Sequence, residues 1–176
     1  MSEIDLRCFC SIDDSETVLQ NPFSFGKFTY ATDRKIIVRV DKRTEFILGV
    51  NSELGKAAQA LFEKYPVGEL ETLPELPPKT PCEMCDGIGQ HECECGSCHV
   101  CGSCQGTKLA SKEFRAHKSG DPVITLGNKR HNLFYLRMIQ HLPGLQISPN
   151  AAGQYDIMPF IFTGGCGLLT TLRCYA

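Results

Sequence analysis

The sequence contains no apolar run approaching the roughly 18 residues that a membrane-spanning helix needs, so no membrane association is expected. It also lacks an excess of either charge. Eighteen Lys+Arg stand against 20 Asp+Glu, a formal net charge of −2. That balance excludes a global pull toward nucleic acid or anionic lipid, and any such binding needs a local patch. The opening Met-Ser-Glu-Ile-Asp is acidic and polar, the wrong chemistry for a secretory signal, which points to the cytoplasm. No internal repeat occurs. No carboxylate pair has the spacing of acid–base work, and Gly164-Gly165 lacks the length and Lys-Ser/Thr ending of a phosphate loop. Cysteine, by contrast, is abundant: 11 in 176 residues, seven of them between Cys82 and Cys104. Clustered cysteines without a secretion signal read as a metal site rather than a disulfide framework.

The flanks of that cluster read as an α+β fold, mainly antiparallel sheet with about two helices. Ile4, Leu6, Cys8 and Cys10 alternate with Asp5, Arg7 and Phe9, the period of a half-buried strand with both thiols on its apolar face. Phe23 to Ala31 reads as a second strand and Arg34 to Val40 as a third, joined through Ala31-Thr32-Asp33-Arg34. Lys35 and Arg39 share the face of that third strand opposite Ile36, Val38 and Val40. After Asn51-Ser52, the residues Leu54, Ala57, Ala58, Leu61, Phe62 and Tyr65 form one helical stripe, stopped by Pro66. Four prolines between Pro74 and Pro81 predict a stiff, extended linker. Beyond the cysteines, residues 107–121 form a basic return ending in the turn signal Gly120-Asp121-Pro122. Val123–Leu126 is then a short strand and Gly127-Asn128 a turn. Asn132 caps a helix through Leu142, and strands follow over Leu145–Ser148, Tyr155–Phe162 and Leu168–Cys174, with Cys166 in a hairpin turn. The expected organisation is one discontinuous domain, 1–78 with 109–176, interrupted by a zinc-binding hairpin at 79–108.

Zinc takes four thiolate or imidazole ligands in a tetrahedron, and a Cys-x-x-Cys turn presents two of them from one tight loop. Cys82/Cys85 and Cys101/Cys104 are two such turns at the ends of a hairpin and are the expected ligands of one zinc. Glycine after the second cysteine lets the backbone turn and aim amide N–H groups at sulfur. Between these turns lie Cys93, Cys95 and Cys98, flanked by His91 and His99. A second zinc would take these three cysteines and one of the two histidines. A structural role for the metal is expected, because catalytic zinc keeps a ligand position open.

The pattern Cys82-x-x-Cys85-x-Gly87-x-Gly89 resembles the zinc-binding repeat of the DnaJ-type co-chaperones, and Cys101-x-x-Cys104-x-Gly106-x-Lys108 is a near-copy. In that family the outer repeats share one zinc and the inner repeats another, so the resemblance implies the same nesting. It extends over about 25 residues, and no His-Pro-Asp signature of a J-domain is present, so it implies a shared zinc module and not chaperone activity. The flanks carry a second resemblance. Asn132 to Ile139, Leu142 to Ile147, Met158 to Phe162 and Gly167 to Arg173 look like the last domain of the bacterial polymerase sliding clamp, with Thr170-Thr171-Leu172-Arg173 where that domain has Met-Pro-Met-Arg. Tyr30-Ala31-Thr32-Asp33-Arg34 resembles the clamp's Ala-Thr-Asp-Gly hairpin, with Arg34 replacing glycine. Small phage-encoded proteins have this look, which implies the host cytoplasm. A clamp ring needs several such domains, so no groove or ring function is carried across.

The hairpin holds Glu83, Asp86, Glu92 and Glu94 and no Lys or Arg between residues 82 and 106, so it has no cation to offer phosphate and suits a protein partner. The first expectation is therefore a non-enzymatic zinc-binding adaptor or inhibitor, in DNA replication or in phage–host interaction. A DNA-associated accessory protein using Lys35 and Arg39 is the alternative, and a thiol–disulfide or holdase activity of the cysteines is a third. Partner identity and oligomeric state are left open.

Overall fold

The structure, a computed structural model, describes residues 4–46, 52–77, 81–82, 84–86, 88, 90–92, 98–101, 123–150 and 157–172. Its centre is a six-stranded antiparallel sheet in the order β1-β2-β3-β10-β9-β8. The strands are β1 (Phe23–Phe25), β2 (Phe28–Thr32), β3 (Ile36–Asp41), β8 (Gln146–Ile147), β9 (Ile157–Phe162) and β10 (Gly165–Thr170). Three strands therefore precede the cysteine cluster and three follow it, and β3 pairs with β10 to join them. Two further ribbons pair β4 (Gln90–Glu92) with β5 (Cys98–Val100), and β6 (Val123–Leu126) with β7 (Lys129–Asn132). Helix α1 spans Ser52–Lys64 and helix α2 spans Leu133–Ile139. The α+β, mainly antiparallel expectation holds among the described residues.

Alternation along β3 decides which helix covers which face. Ile36, Val38 and Val40 point into the larger core, with Met158 and Phe160 of β9 and Leu136 and Ile139 of α2. Ile37 points the other way, into a second core with Phe23, Tyr30, Leu168 and Ala58 of α1. The two helices thus lie on opposite faces of one sheet. Gly165 and Gly167 stand opposite Phe162 and Phe160 in the β9–β10 register, and a Cβ on either glycine would run into those rings. Glycine lets the aromatic rings lie across the neighbouring strand.

Several local expectations are corrected. Residues Leu6–Phe9 form a 3-10 turn and not a strand, because the Asp5 carboxylate accepts from the Arg7 amide and starts a turn. The turn buries Leu6 and Phe9 and leaves Cys8 exposed, whereas Cys10 is buried as expected. Gly26, at φ 59, splits the expected Phe23–Ala31 strand into the β1–β2 hairpin. The β2–β3 turn is tighter than read, with β2 continuing through Thr32. Cys166 lies within β10, and the turn before it runs through Gly164 at φ 92. Strand β7, polar in sequence, pairs with β6 across the Gly127-Asn128 turn. The proline-rich segment is extended but does not stand off as a spacer. Glu71 exchanges two 2.8 Å backbone bonds with Ile147, covering the free edge of β8, and Leu73 and Leu76 pack against the larger core. The basic return at 107–121 lies outside the described residues.

Helix α1 seats closely on β1. A Cβ on Gly55 would overlap the Phe25 ring and lie 2.7 Å from Phe25 Cβ. Gly55→Ala is expected to destabilise the fold by about 1–3 kcal/mol through overpacking, despite gaining up to about 1 kcal/mol of helix propensity. Urea unfolding reads the difference.

His131 on β7 is fully buried, and neither ring nitrogen has a hydrogen-bond partner among the described residues. Burial, with a smaller push from Lys129, lowers its pKa to about 4. Between pH 6.5 and 4 the unfolded chain takes up a proton that the folded chain refuses. Stability should therefore be intact above pH 6.5 and fall by up to about 3 kcal/mol as the pH drops to 4. His131→Leu should flatten that limb of the stability curve.

Candidate metal centre

Cys82 and Cys85 flank a turn in which the Cys85 amide donates to the Cys82 carbonyl at 3.3 Å and the Ile88 amide to the Cys85 carbonyl at 2.8 Å. Asp86, directly after Cys85, takes the left-handed conformation at φ 48, which Asp tolerates better than most non-glycine residues. Gly87, the residue expected to permit the turn, lies outside the described residues. Beyond the turn, β4 and β5 pair with Gln90 opposite Val100, His91 opposite His99 and Glu92 opposite Cys98. This ladder returns the chain to Cys101 beside the first turn.

The sulfurs of Cys82, Cys85 and Cys101 lie within 4.8 Å of one another, and all three residues are buried. Cys82 Sγ and Cys101 Sγ are 3.9 Å apart, far beyond the roughly 2.05 Å of a disulfide. Tetrahedral zinc with bonds of about 2.3 Å separates its sulfurs by about 3.8 Å. The three sulfurs therefore have the spacing of ligands that could hold a metal ion.

Three of the four expected outer ligands are thus brought together. The fourth, Cys104, lies outside the described residues, as do Cys93, Cys95 and the side chain of His91. Cys98 is exposed and is not part of the buried group. His99 follows it in β5, so the two side chains project to opposite sides of the ribbon.

Cys8 and Cys10 are shifted away from reactivity. Partial desolvation beside the chain, then the Asp5 charge, raises the pKa of Cys8 although its surface is exposed. Burial pushes Cys10 up to about 11. A reactive cysteine needs the opposite shift. Of the two basic residues singled out, Lys35 is exposed in the turn before β3. Arg39 is engaged inside the protein: its guanidinium lies 4.3 Å from the Phe28 ring and 4.2 Å from the Phe62 ring, a cation–π clasp between sheet and α1. Phe62 is recognisable from the helical stripe, but the clasp depends on long-range packing that periodicity does not carry. No described helix is long and apolar enough to cross a membrane.

No protein family, curated protein or solved structure matches the chain. The centre is read from its own geometry.

Cys101→Ser is expected to lower metal affinity by more than about 100-fold, since even changes behind the ligands cost 10–100-fold. Elemental analysis after mild chelation reads the loss. The hairpin should become protease-sensitive while the main thermal transition stays in place.

Proposed function

We propose that the chain is a non-enzymatic adaptor or inhibitor in which zinc, held by Cys82, Cys85, Cys101 and Cys104, orders a hairpin that binds a protein partner. The observation that carries this reading is the display of apolar side chains around the buried thiols. Met84, Ile88 and Val100 are each 64–65% exposed on the two arms of the hairpin. The only buried side chains described there are the three cysteines. Apolar groups that serve no core mark a surface meant to be covered, and a metal can order a short element that has no core of its own.

Electrostatics supports a protein over a nucleic acid. Asp86 is exposed on the turn, and the stretch from Cys82 to Gly106 contains no Lys or Arg. A thiolate-bound zinc adds further negative charge. The chemistry of the partner is thus an apolar patch with a basic surround.

The test is a triple variant, Met84→Ser with Ile88→Ser and Val100→Ser. Its zinc content and thermal stability should equal those of the parent, while partners enriched by the parent from lysate should be lost. Equal enrichment by both proteins would contradict the reading.

A further inference from the structure

Away from the metal hairpin, a cavity of about 600 Å³ opens between α1, the outer face of the sheet and the 3-10 turn Asp14–Leu19. Its floor is Ile37 and Leu168, and Leu54, Ala57 and Leu61 form the α1 wall. The volume is that of a small-molecule site. Its origin is in the helix sequence. Helix α1 meets the sheet at Gly55 against Phe25, at Phe62 against Tyr30 and through the Arg39 clasp, whereas Ala57 and Ala58, which line the cavity, are too small to fill it.

The lining is otherwise apolar except for Thr32, Thr170 and two cations, Arg34 and Lys35, and among the described residues it has no acidic side chain. Both threonine hydroxyls are already spent on backbone carbonyls, Thr32 on Ile36 and Thr170 on Lys35. Arg34 sits at φ 73, a conformation in which glycine is the unstrained choice. The turn is held there from several sides. Asp33 Oδ1 accepts from the Lys35 and Ile36 amides, each at 2.9 Å, and Tyr135 donates to Asp33 Oδ2 at 2.8 Å. Thr32 Oγ1 accepts from the Arg34 amide at 3.0 Å. A strained residue kept in place by so many bonds points to use of its side chain. Asp13 lies near enough to Arg34 to feel its charge, although Ser15 is the main cause of the lowered Asp13 pKa.

We infer that this cavity binds an amphipathic anion, an aliphatic chain ending in a carboxylate. The chain lies between α1 and the sheet, and the carboxylate meets Arg34 and Lys35 at the rim. Charge complementarity selects the anion, and the apolar floor and wall select the chain.

Decanoate below its micelle concentration, titrated into the full chain by calorimetry, tests this beside decanol and decyltrimethylammonium. Decanoate should bind at least about tenfold more tightly than either comparator. Arg34→Gly suits the turn's backbone, so it should retain the parent's thermal stability while weakening decanoate about tenfold. Ala57→Phe, from the exposed rim, should fill the cavity and abolish binding. Absence of decanoate binding, equal binding of the neutral or cationic comparator, or an unchanged affinity in Arg34→Gly would overturn the inference. So would a dimer that Ala57→Phe dissociates, because a second copy of the chain would then be the occupant.

Discussion

Five residue pairs, from Gly165 with Val40 to Leu169 with Ile36, bind β3 to β10 and so join the strands before the cysteine cluster to those after it. Every other feature of the sheet follows from that ladder. It places β3 centrally, where its alternation must serve two cores. Ile36, Val38 and Val40 meet α2, while Ile37 and Arg39 meet α1. It also brings Leu168 beneath α1, so that the floor of the cavity is built from both halves of the chain. A one-residue slip in β3 would exchange the two faces and lose both cores together.

The cysteine hairpin obeys a different economy. The sheet is held by apolar side chains turned inward, whereas the described hairpin turns Met84, Ile88 and Val100 out and Cys82, Cys85 and Cys101 in. An element of that size cannot offset its chain entropy with three buried cysteines alone. On the proposed reading, metal–thiolate bonds supply that difference and leave Met84, Ile88 and Val100 exposed for a partner. The Arg39 clasp makes the parallel point on the main sheet. A basic residue there stabilises helix docking, so the basic character of a strand face is not by itself a binding surface.

Much of this was legible in the sequence, and the exceptions have physical causes. Helix α1 and the Asn132 cap of α2 could be read because periodicity and capping are local. The approach of Cys101 to the Cys82–Cys85 turn could be read because ligand geometry dictates the spacing. The 3-10 turn at Leu6–Phe9 could not, because alternating apolar residues carry the period of a strand while a single Asp5 hydrogen bond decides the turn. Strand β7 was hidden by its polar sequence, Lys-Arg-His-Asn, although the Gly127-Asn128 turn before it was a usable signal. The cavity has no local signature at all, since its walls come from segments far apart in the chain.

We propose that a thiolate-bound zinc orders the hairpin, and X-ray absorption at the zinc edge on protein purified without chelator reports on that ion and its ligands. A zinc signal with a sulfur shell at about 2.3 Å and about four sulfurs per metal is expected for the outer site. A chain that carries no zinc while its hairpin stays protected from proteolysis would contradict it, as would a shell dominated by oxygen.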